Sequence, residues 1–558
     1  MLLSVLRDFW KFSRTKAPKT GKSGVEPPRA PPPAVHLPPG WRVYGDATSL
    51  QQVFDVAVIM PTVGRATLRD AVQSVFDQAF AGRIQLLIGV DAPLGSFDEH
   101  EKMFAAAPPN VTICFYYPGY STSVRHGGLH PARDGGVLRA VLTYMANARY
   151  VAYLDDDNWW NPVHLQSLLA SINGKDWAYA DRWFVHQDTR QVLGADDWES
   201  AGPGRGIFAD RNGGWVDPNC LMFDKLACEP AIRWWTIPLP GDQKAMSADR
   251  HIYAYMQQKS APAVTGLITT YYALQADDGM HPSRLQMMEV QARAQVPSEE
   301  RVSPPGDARI RFSFLLPTRN RISGLSALLE SVEAMTARPD ELEIILGIDE
   351  DDQASRDFVW RGLNIVKVIV PPGLTMGRLN QACYKASRGR YLMAMNDDVL
   401  LRTPGWDDKV GLVLDAVRDD TFLVHVNDLL FGQTLCCFPM VSRAFCEMAG
   451  GFCPDEYERY RIDDHIHQVF TLLGARGHHR VFYLPGVVFE HLNYVPGHKG
   501  ERLYKLNGEI LGRDAQRFDA SFPVRQALAE KLGRHIDVAR DQRISDMEKS
   551  IGPPWRQS

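Results

Sequence analysis

Residues 149–160 read RYVAYLDDDNWW, and residues 390–401 read RYLMAMNDDVLL. Both open on Arg-Tyr, run through apolar residues and end in a knot of carboxylates. A short apolar run bounded in this way predicts a buried strand. Carboxylates strongly resist burial without partners. Asp155, Asp156 and Asp157, and likewise Asp397 and Asp398, are therefore expected at an open strand end where something positive meets them.

The stretches around each knot recur in the same order. DVAVIMPTVGRATLRDAVQSVFDQ (55–78) is an apolar strand running into Pro61-Thr62 and then a helical period through Leu68, Val72, Val75 and Phe76. RIQLLIGVD (83–91) is a second apolar strand ending in Asp91. After a polar, Pro-containing joint, RFSFLLPTRNRISGLSALLESVEA (311–334) repeats strand, Pro-Thr and helix, and ELEIILGIDEDD (341–352) repeats the second strand with Asp349. Gly136 matches Gly377, and SADRHIY (247–253) resembles RIDDHIH (461–467), pairing Asp249 with Asp463 and His251 with His465. Landmarks kept in order while spacings shrink indicate a duplicated domain, not a short-period repeat. Continuous apolar strands alternating with helices predict α/β domains, each with a mainly parallel mixed sheet flanked by helices. The expected boundaries are an amphipathic segment and Pro-rich linker over 1–40, domains over 41–300 and 301–500, and a helical tail over 501–558 packed on the second domain.

Composition narrows the function. The 558 residues are too many for one ordinary core. Apolar content of 45% and charged content of 23% are those of a soluble globular protein. A net charge of −5 gives no global basic field for nucleic acid. Cys436, Cys437, Cys446 and Cys453 cluster without paired CxxC spacing, which favours buried free thiols over a structural zinc. No apolar run approaches the roughly 20 residues that span a bilayer. The start, MLLSVLRDFWKFSRTK, lacks a signal-peptide pattern. It can form an amphipathic helix suited to a membrane surface, so a cytoplasmic protein with peripheral contact is expected.

In an open parallel sheet, ligands bind outside the carboxyl ends of the strands. Thr62, Asp91 and the Asp155–Asp157 knot should converge there, as should Thr318, Asp349 and Asp397–Asp398. Carboxylates at such an edge suit a hard divalent cation that bridges to phosphate oxygens. No GxxxxGK[ST] loop and no GxGxxG after the first strand are present, which counts against a P-loop or dinucleotide site.

This order of strand-PT, strand-D, DDD or NDD, and a late D-x-H resembles the inverting family-2 glycosyltransferases of GT-A fold, over roughly residues 52–290 and again 309–495. The resemblance implies two tandem GT-A-like domains, a nucleotide-diphosphate sugar donor, a divalent cation (Mn or Mg), and a saccharide or lipid-linked acceptor in polysaccharide or glycan assembly. It implies that Asp91 and Asp349 contact the nucleobase with Thr62 and Thr318 nearby. Asp156 and Asp397 would hold ribose, and Asp157 and Asp398 the metal. Asp249 and Asp463 would act as general bases. His491, in VVFEHLNY, and His281 are candidates for a third metal contact. The Gly-rich stretch YPGYSTSVRHGGLHPARDGG (117–136) is expected to cover the donor phosphates through Arg125, with Arg378 its counterpart. Trp159, Trp160, Trp183, Trp198, Trp215, Trp234 and Trp235 are mostly core candidates, and VDPNCLMFDK (216–225) is expected on the acceptor side. Since Asn396 stands opposite Asp155, that acid is the one expected to tolerate change. One active domain beside an inactive carbohydrate-binding copy is the alternative.

Overall fold

The computed structural model of the protein describes residues 37–275, 284–288, 309–492 and 501–551. The N-terminal amphipathic segment, most of the linker and His281 lie outside them. The chain divides into two compact units, Met1–Val296 with Arg540–Ser558, and Pro297–Ala539. The C-terminal helical stretch therefore splits between the units, whereas the sequence suggested that all of it belongs with the second. Among the described residues, no helix is long and apolar enough to cross a membrane.

In unit 1 the strands are β1 (Gly40–Tyr44), β2 (Phe54–Thr62), β3 (Ile84–Val90), β4 (Val111–Tyr117), β5 (Ala148–Tyr153), β6 (Trp159–Trp160), β7 (Trp177–His186), β8 (Val192–Ala195), β9 (Gly202–Pro203), β10 (Gly214–Trp215), β11 (Leu221–Asp224) and β12 (Ala263–Leu274). The main sheet runs β1-β4-β3-β2-β5-β11-β7-β12-β6, with β8 on β7. In unit 2 they are β13 (Phe312–Thr318), β14 (Leu342–Asp349), β15 (Asn364–Val370), β16 (Tyr391–Ala394), β17 (Val399–Leu401), β18 (Leu423–Asn427), β19 (Met440–Ser442) and β20 (Val481–His491). They run β15-β14-β13-β16-β19-β18-β20-β17. From β4 to β6, unit 1 has the same order and the same pattern of parallel and antiparallel neighbours as unit 2. The duplication read from the sequence is thus a duplication of topology. Both units are α/β, with parallel-rich sheets flanked by helices.

The alternation of side chains along a strand explains why β2 is apolar at nearly every position. Ala57 and Ile59 enter one buried cluster with Val151, Tyr153 and Trp235. Val56, Val58 and Met60 enter another with Leu68, Val72 and Ile88. Successive residues point to opposite faces, so a strand covered on both faces must be apolar throughout. Each fully buried aliphatic side chain contributes about 1.5–3 kcal/mol.

The repeated glycine has a steric cause. Gly136 opens α1 (Gly136–Met145), and a Cβ there would lie 1.8 Å from the Trp235 carbonyl oxygen. Gly377 lies in the first turn of α2 (Met376–Ala386), and a Cβ there would lie 2.2 Å from the Pro454 carbonyl oxygen. In both units the backbone of a distant segment, a 3-10 turn at Trp235 and a loop at Pro454, presses against the start of the helix. Gly136→Ala and Gly377→Ala should each cost about 1–3 kcal/mol, read as a lower denaturant midpoint. An unchanged midpoint would refute that close approach.

Candidate functional site

Each unit by itself assembles the same constellation at the carboxyl ends of its parallel strands. In unit 1, Thr62 at the end of β2 donates from Oγ1 to Asp156 Oδ2 at 2.5 Å, and Arg65 pairs with Asp156 Oδ1. Arg65 also stands 3.6 Å from Asp157. In unit 2, Thr318 donates to Asp397 Oδ2 at 2.8 Å, and Arg321 pairs with Asp397 Oδ1 at 2.5 Å and with Asp398 at 3.5 Å. Asp156 and Asp397 are buried, while both arginines are exposed along much of their length. The carboxylate ends are therefore shielded, and losing the guanidinium leaves an uncompensated acid rather than a weak surface pair. The sequence reading missed Arg65 and Arg321. Each stands four residues after its Pro, in PTVGR and PTRNR, so comparing the two copies carried the signal.

The second acid of each pair behaves differently in the two units. Burial, then Asp155 and Asp156, push the Asp157 carboxyl up to about 7, against the pull of Arg65 and a hydrogen bond from Gln275. Gln275 Nε2 and Asn158 Nδ2 donate to Asp157 at 2.6 and 3.0 Å. Burial also opposes ionisation of Asp398, but His491 and Arg321 outweigh it and hold that carboxyl below its ordinary value. His491 Nε2 stands 3.5 Å from Asp398 Oδ1, which is buried and lacks a formed hydrogen bond. Under-neutralised acids in one unit and an open buried acceptor in the other both suit a cation.

Asp155 is not the spare member of its knot. Its carboxylate pairs with Arg139 on α1, accepts from Asn219 Nδ2 at 3.0 Å, and its backbone N–H donates to Asn219 Oδ1 at 2.6 Å. Arg139 is buried and stacks on Trp235. Because Gly136 matches Gly377, the counterpart of Arg139 is Asn380, which is also buried, and the counterpart of Asp155 is Asn396. A charged pair in one unit is replaced by two amides in the other. The expectation that Asp155 tolerates change is thus at odds with the structure: the asparagine in unit 2 is neutral because the arginine opposite is absent.

Asp249 and Asp463 occupy the first turn of matching helices, α3 (Ala248–Lys259) and α4 (Ile462–Gly474). Both residues are half-buried, and Asp249 Oδ1 is a shielded oxygen with no hydrogen bond. Burial, and then the Asp134 carboxylate among the raising charges, lift Asp249 to about 6 although Arg250 and Arg139 oppose the rise. Burial and then Asp464 lift Asp463 to about 6. Arg139 feels both Asp155 and Asp249, which joins the helix carboxylate to the strand-end knot. In unit 2, burial and Asp428, and after them Asp463, raise the Cys437 thiol, so Asp463 lies within electrostatic reach of it.

The remaining candidates are less uniform. Asp91 is buried and accepts from Thr122 N at 2.7 Å, Thr122 Oγ1 at 2.9 Å and Ser121 Oγ at 3.0 Å, so it anchors the start of the Gly-rich stretch. Asp349 instead pairs with Arg319, which also binds Asp351 at 2.7 Å. Arg125 and Arg378 are exposed, and among the described residues no ion pair ties them to the carboxylates. Strand register puts Tyr272 where unit 2 has His491: Thr270 pairs with Trp160 and Phe489 with Leu401, two residues before each. Trp160, Trp198, Trp215 and Trp235 are buried, and Trp159, Trp183 and Trp234 are half-buried.

No family model matches the chain, and no curated protein matches it. Among solved structures it is similar to residues 1–349 of TarS from S. aureus, with TM-score 0.29 and 13% identity over 43% of this chain; the match spans 64% of that chain. It is similar to the mannosyltransferase PcManGT from Pyrobaculum calidifontis, solved with GDP-Man and Mn2+, with TM-score 0.31 and 14% identity over 49% of this chain and 83% of that one. A mycobacterial protein matches at TM-score 0.25 and 18% identity over 38% of this chain and 72% of that one. These values assign no function.

Two tests follow from the charges. Asp155→Asn should destabilise the protein by about 2–3 kcal/mol by leaving Arg139 buried without its main partner. Combining it with Arg139→Asn should recover part of that loss in a double-mutant cycle; zero coupling would contradict the pairing. For Asp463, whose folded carboxyl titrates near 6 rather than 3.8, the folded state holds its proton longer than the unfolded chain. Its ionisation therefore removes stability as pH rises from about 4 to about 6. Asp463→Asn should raise stability by about 1–2 kcal/mol at pH 7.5 and by little near pH 4, with solvent screening already discounted. A gain equal at both pH values would count against the raised carboxyl.

Proposed function

We propose that the chain is an inverting glycosyltransferase of the family-2 type, with two GT-A-like units, that moves a sugar from a nucleotide diphosphate to a saccharide or lipid-linked acceptor. The observation that carries this reading is the same frame built twice. A Thr and an Arg from the turn after the first strand hold the first acid of a strand-end pair, and in each unit a half-buried carboxylate stands in the first turn of a matching helix.

On this reading Asp157, and Asp398 with His491, hold a divalent cation. When bound, that ion offsets the charge that builds on the departing diphosphate. Thr62 and Thr318 fix Asp156 and Asp397 in place to receive the donor ribose. Arg65 and Arg321, exposed toward the open edge, supply positive charge for the donor phosphates. Asp249 or Asp463 takes the proton of the attacking acceptor hydroxyl, for which a carboxyl near 6 is well matched at neutral pH. One in-line displacement inverts the anomeric carbon without a covalent intermediate. Asp91 and Asp349 fit the nucleobase role if their present partners, Thr122 and Arg319, yield to it.

A second reading, with one active unit, is favoured by the exchange of His491 for Tyr272. Asp157→Asn and Asp398→Asn, made separately and assayed for Mn2+-dependent sugar transfer or nucleotide-sugar hydrolysis, separate the two. Two active units predict that each change removes a distinct activity about a hundredfold or more. One active unit predicts that Asp398→Asn alone abolishes turnover. If neither change matters, the transferase reading fails. The activity that depends on Asp463 should also fall about tenfold per pH unit below pH 6. A profile flat from about pH 5 to about pH 8 would remove Asp463 from the role of base.

A further inference from the structure

Unit 2 carries a cluster that the transfer chemistry above does not use. Asp428, Cys437 and His491 each offer one ligand atom, and these atoms lie within 4.8 Å of one another. Ligands around a tetrahedral zinc stand about 3.5 Å apart, so small side-chain adjustments close the gap. Asp428 and His491 keep atoms that no hydrogen bond from a described residue occupies. Asp428 is buried, and its Oδ1 accepts from the N–H groups of Leu430, Phe431 and Gly432 at 3.1, 2.9 and 2.8 Å. Those bonds fix the carboxylate and leave Oδ2 shielded, with no N–H or O–H donor; the Cys437 thiol is the group that faces it. Both ring nitrogens of His491 are shielded and form no hydrogen bond with a described residue, Asp398 standing 3.5 Å from Nε2. The His491 backbone N–H donates to the Asp428 carbonyl at 3.2 Å, and the Phe438 ring packs against the imidazole at 5.2 Å. The Asp428 carboxylate is therefore oriented by backbone N–H groups before any ion arrives, while the His491 ring is placed by packing and by its backbone bond.

Unit 1 provides the contrast. Met222 on β11 faces Ala152 and Ala178, and Met440 on β19 faces Met393 and Val424. Counting from these registers puts Asn219 in the place of Cys437 and Arg182 in the place of Asp428, as Tyr272 takes the place of His491. The three unit 1 positions come together in space. The Arg182 guanidinium lies 4.2 Å from the Tyr272 ring centre and pairs with Asp196 at 2.7 Å, Asp217 at 2.5 Å and Glu199 at 2.8 Å. Asn219 donates to that same Asp217 at 2.7 Å. One unit thus places a fixed cation where the other has an acid, a thiol and an imidazole.

We propose that Asp428, Cys437 and His491 bind a thiophilic divalent cation, of which zinc is the type, at the place that Arg182 fills in unit 1. Carboxylate, thiolate and imidazole together favour zinc or cobalt over magnesium or manganese. Binding releases the thiol proton to solvent as the thiolate becomes a ligand. The inference does not require sugar transfer, although it shares His491 with the proposed donor-metal site.

The test uses the full chain, stripped with chelator and titrated with Co2+. The wild type should develop a near-ultraviolet thiolate-to-cobalt band that saturates at one ion per chain and is bleached by Zn2+. Cys437→Ser should abolish the band, and Asp428→Asn should weaken binding about tenfold or more. Asp398→Asn should keep the band even where it removes Mn2+-dependent turnover, so the fate of this site and of the transferase reading are separable. Absence of the band in the wild type overturns the proposal without reference to any variant. A band that survives in Cys437→Ser, with circular dichroism unchanged, overturns it as well, since another cysteine would then be the ligand.

Discussion

Everything at the two sheet edges depends on one problem, how to keep adjacent carboxylates at the end of a buried strand. Isolated, such acids would neutralise or unfold the edge. The chain solves this by bringing the turn after the neighbouring strand over them. A threonine hydroxyl takes one oxygen of the first acid and an arginine takes the other, in both units. The turn and the knot are far apart in sequence, so this contact also fixes the parallel register of β2 on β5 and of β13 on β16. A shift of one residue would turn the apolar faces of these strands outward and move the acids away from their partners.

Much of this was legible in the residues. The apolar strands predicted parallel-rich sheets, and both sheets have that form, with the Pro-Thr turns and the paired acids meeting at strand ends. The weak points came from contacts that no single stretch reveals. Arg139 sits on a helix whose pattern shows an apolar face and gives no sign that its guanidinium turns inward to Asp155. The substitution of Asp155 by Asn396 therefore looked like tolerance. Only with Asn380 placed opposite does it become a matched change of two residues. The cysteine group misled in the same way. Spacing alone suggested inert thiols, and Cys446 and Cys453 are indeed buried and free. Cys437 differs because a strand pairing brings Asp428 and His491 to it from other parts of the chain.

The two units keep their Thr–Arg–Asp frame and diverge in how they supply positive charge. In unit 1, Arg139 answers Asp155, and Arg182 answers Asp196, Glu199 and Asp217, both as buried guanidinium groups. Guanidinium remains charged at any physiological pH and presents a rigid fork of donors. Such a network is fixed in position and independent of solution conditions, and breaking it by removing one member is costly. In unit 2 the equivalent positions are Asn380 and Asp428, so neither built-in charge remains.

This divergence decides what each site can respond to. A site that carries its own cation is insensitive to the supply of ions at that position, and its geometry is set when the chain folds. A site lined by acid, thiol and imidazole has the opposite character, because its positive charge must come from solution and its occupancy follows the free-ion concentration. His491 stands between the two groups in unit 2, 3.5 Å from Asp398 on one side and within ligand range of Asp428 and Cys437 on the other. Any ion that orients its ring also orients the acid proposed to face the donor. On the two proposals above, the ion held by Asp428, Cys437 and His491 would act through the His491 ring on the transfer chemistry proposed at Asp398, whereas unit 1 has Tyr272 and Arg182 at the same places.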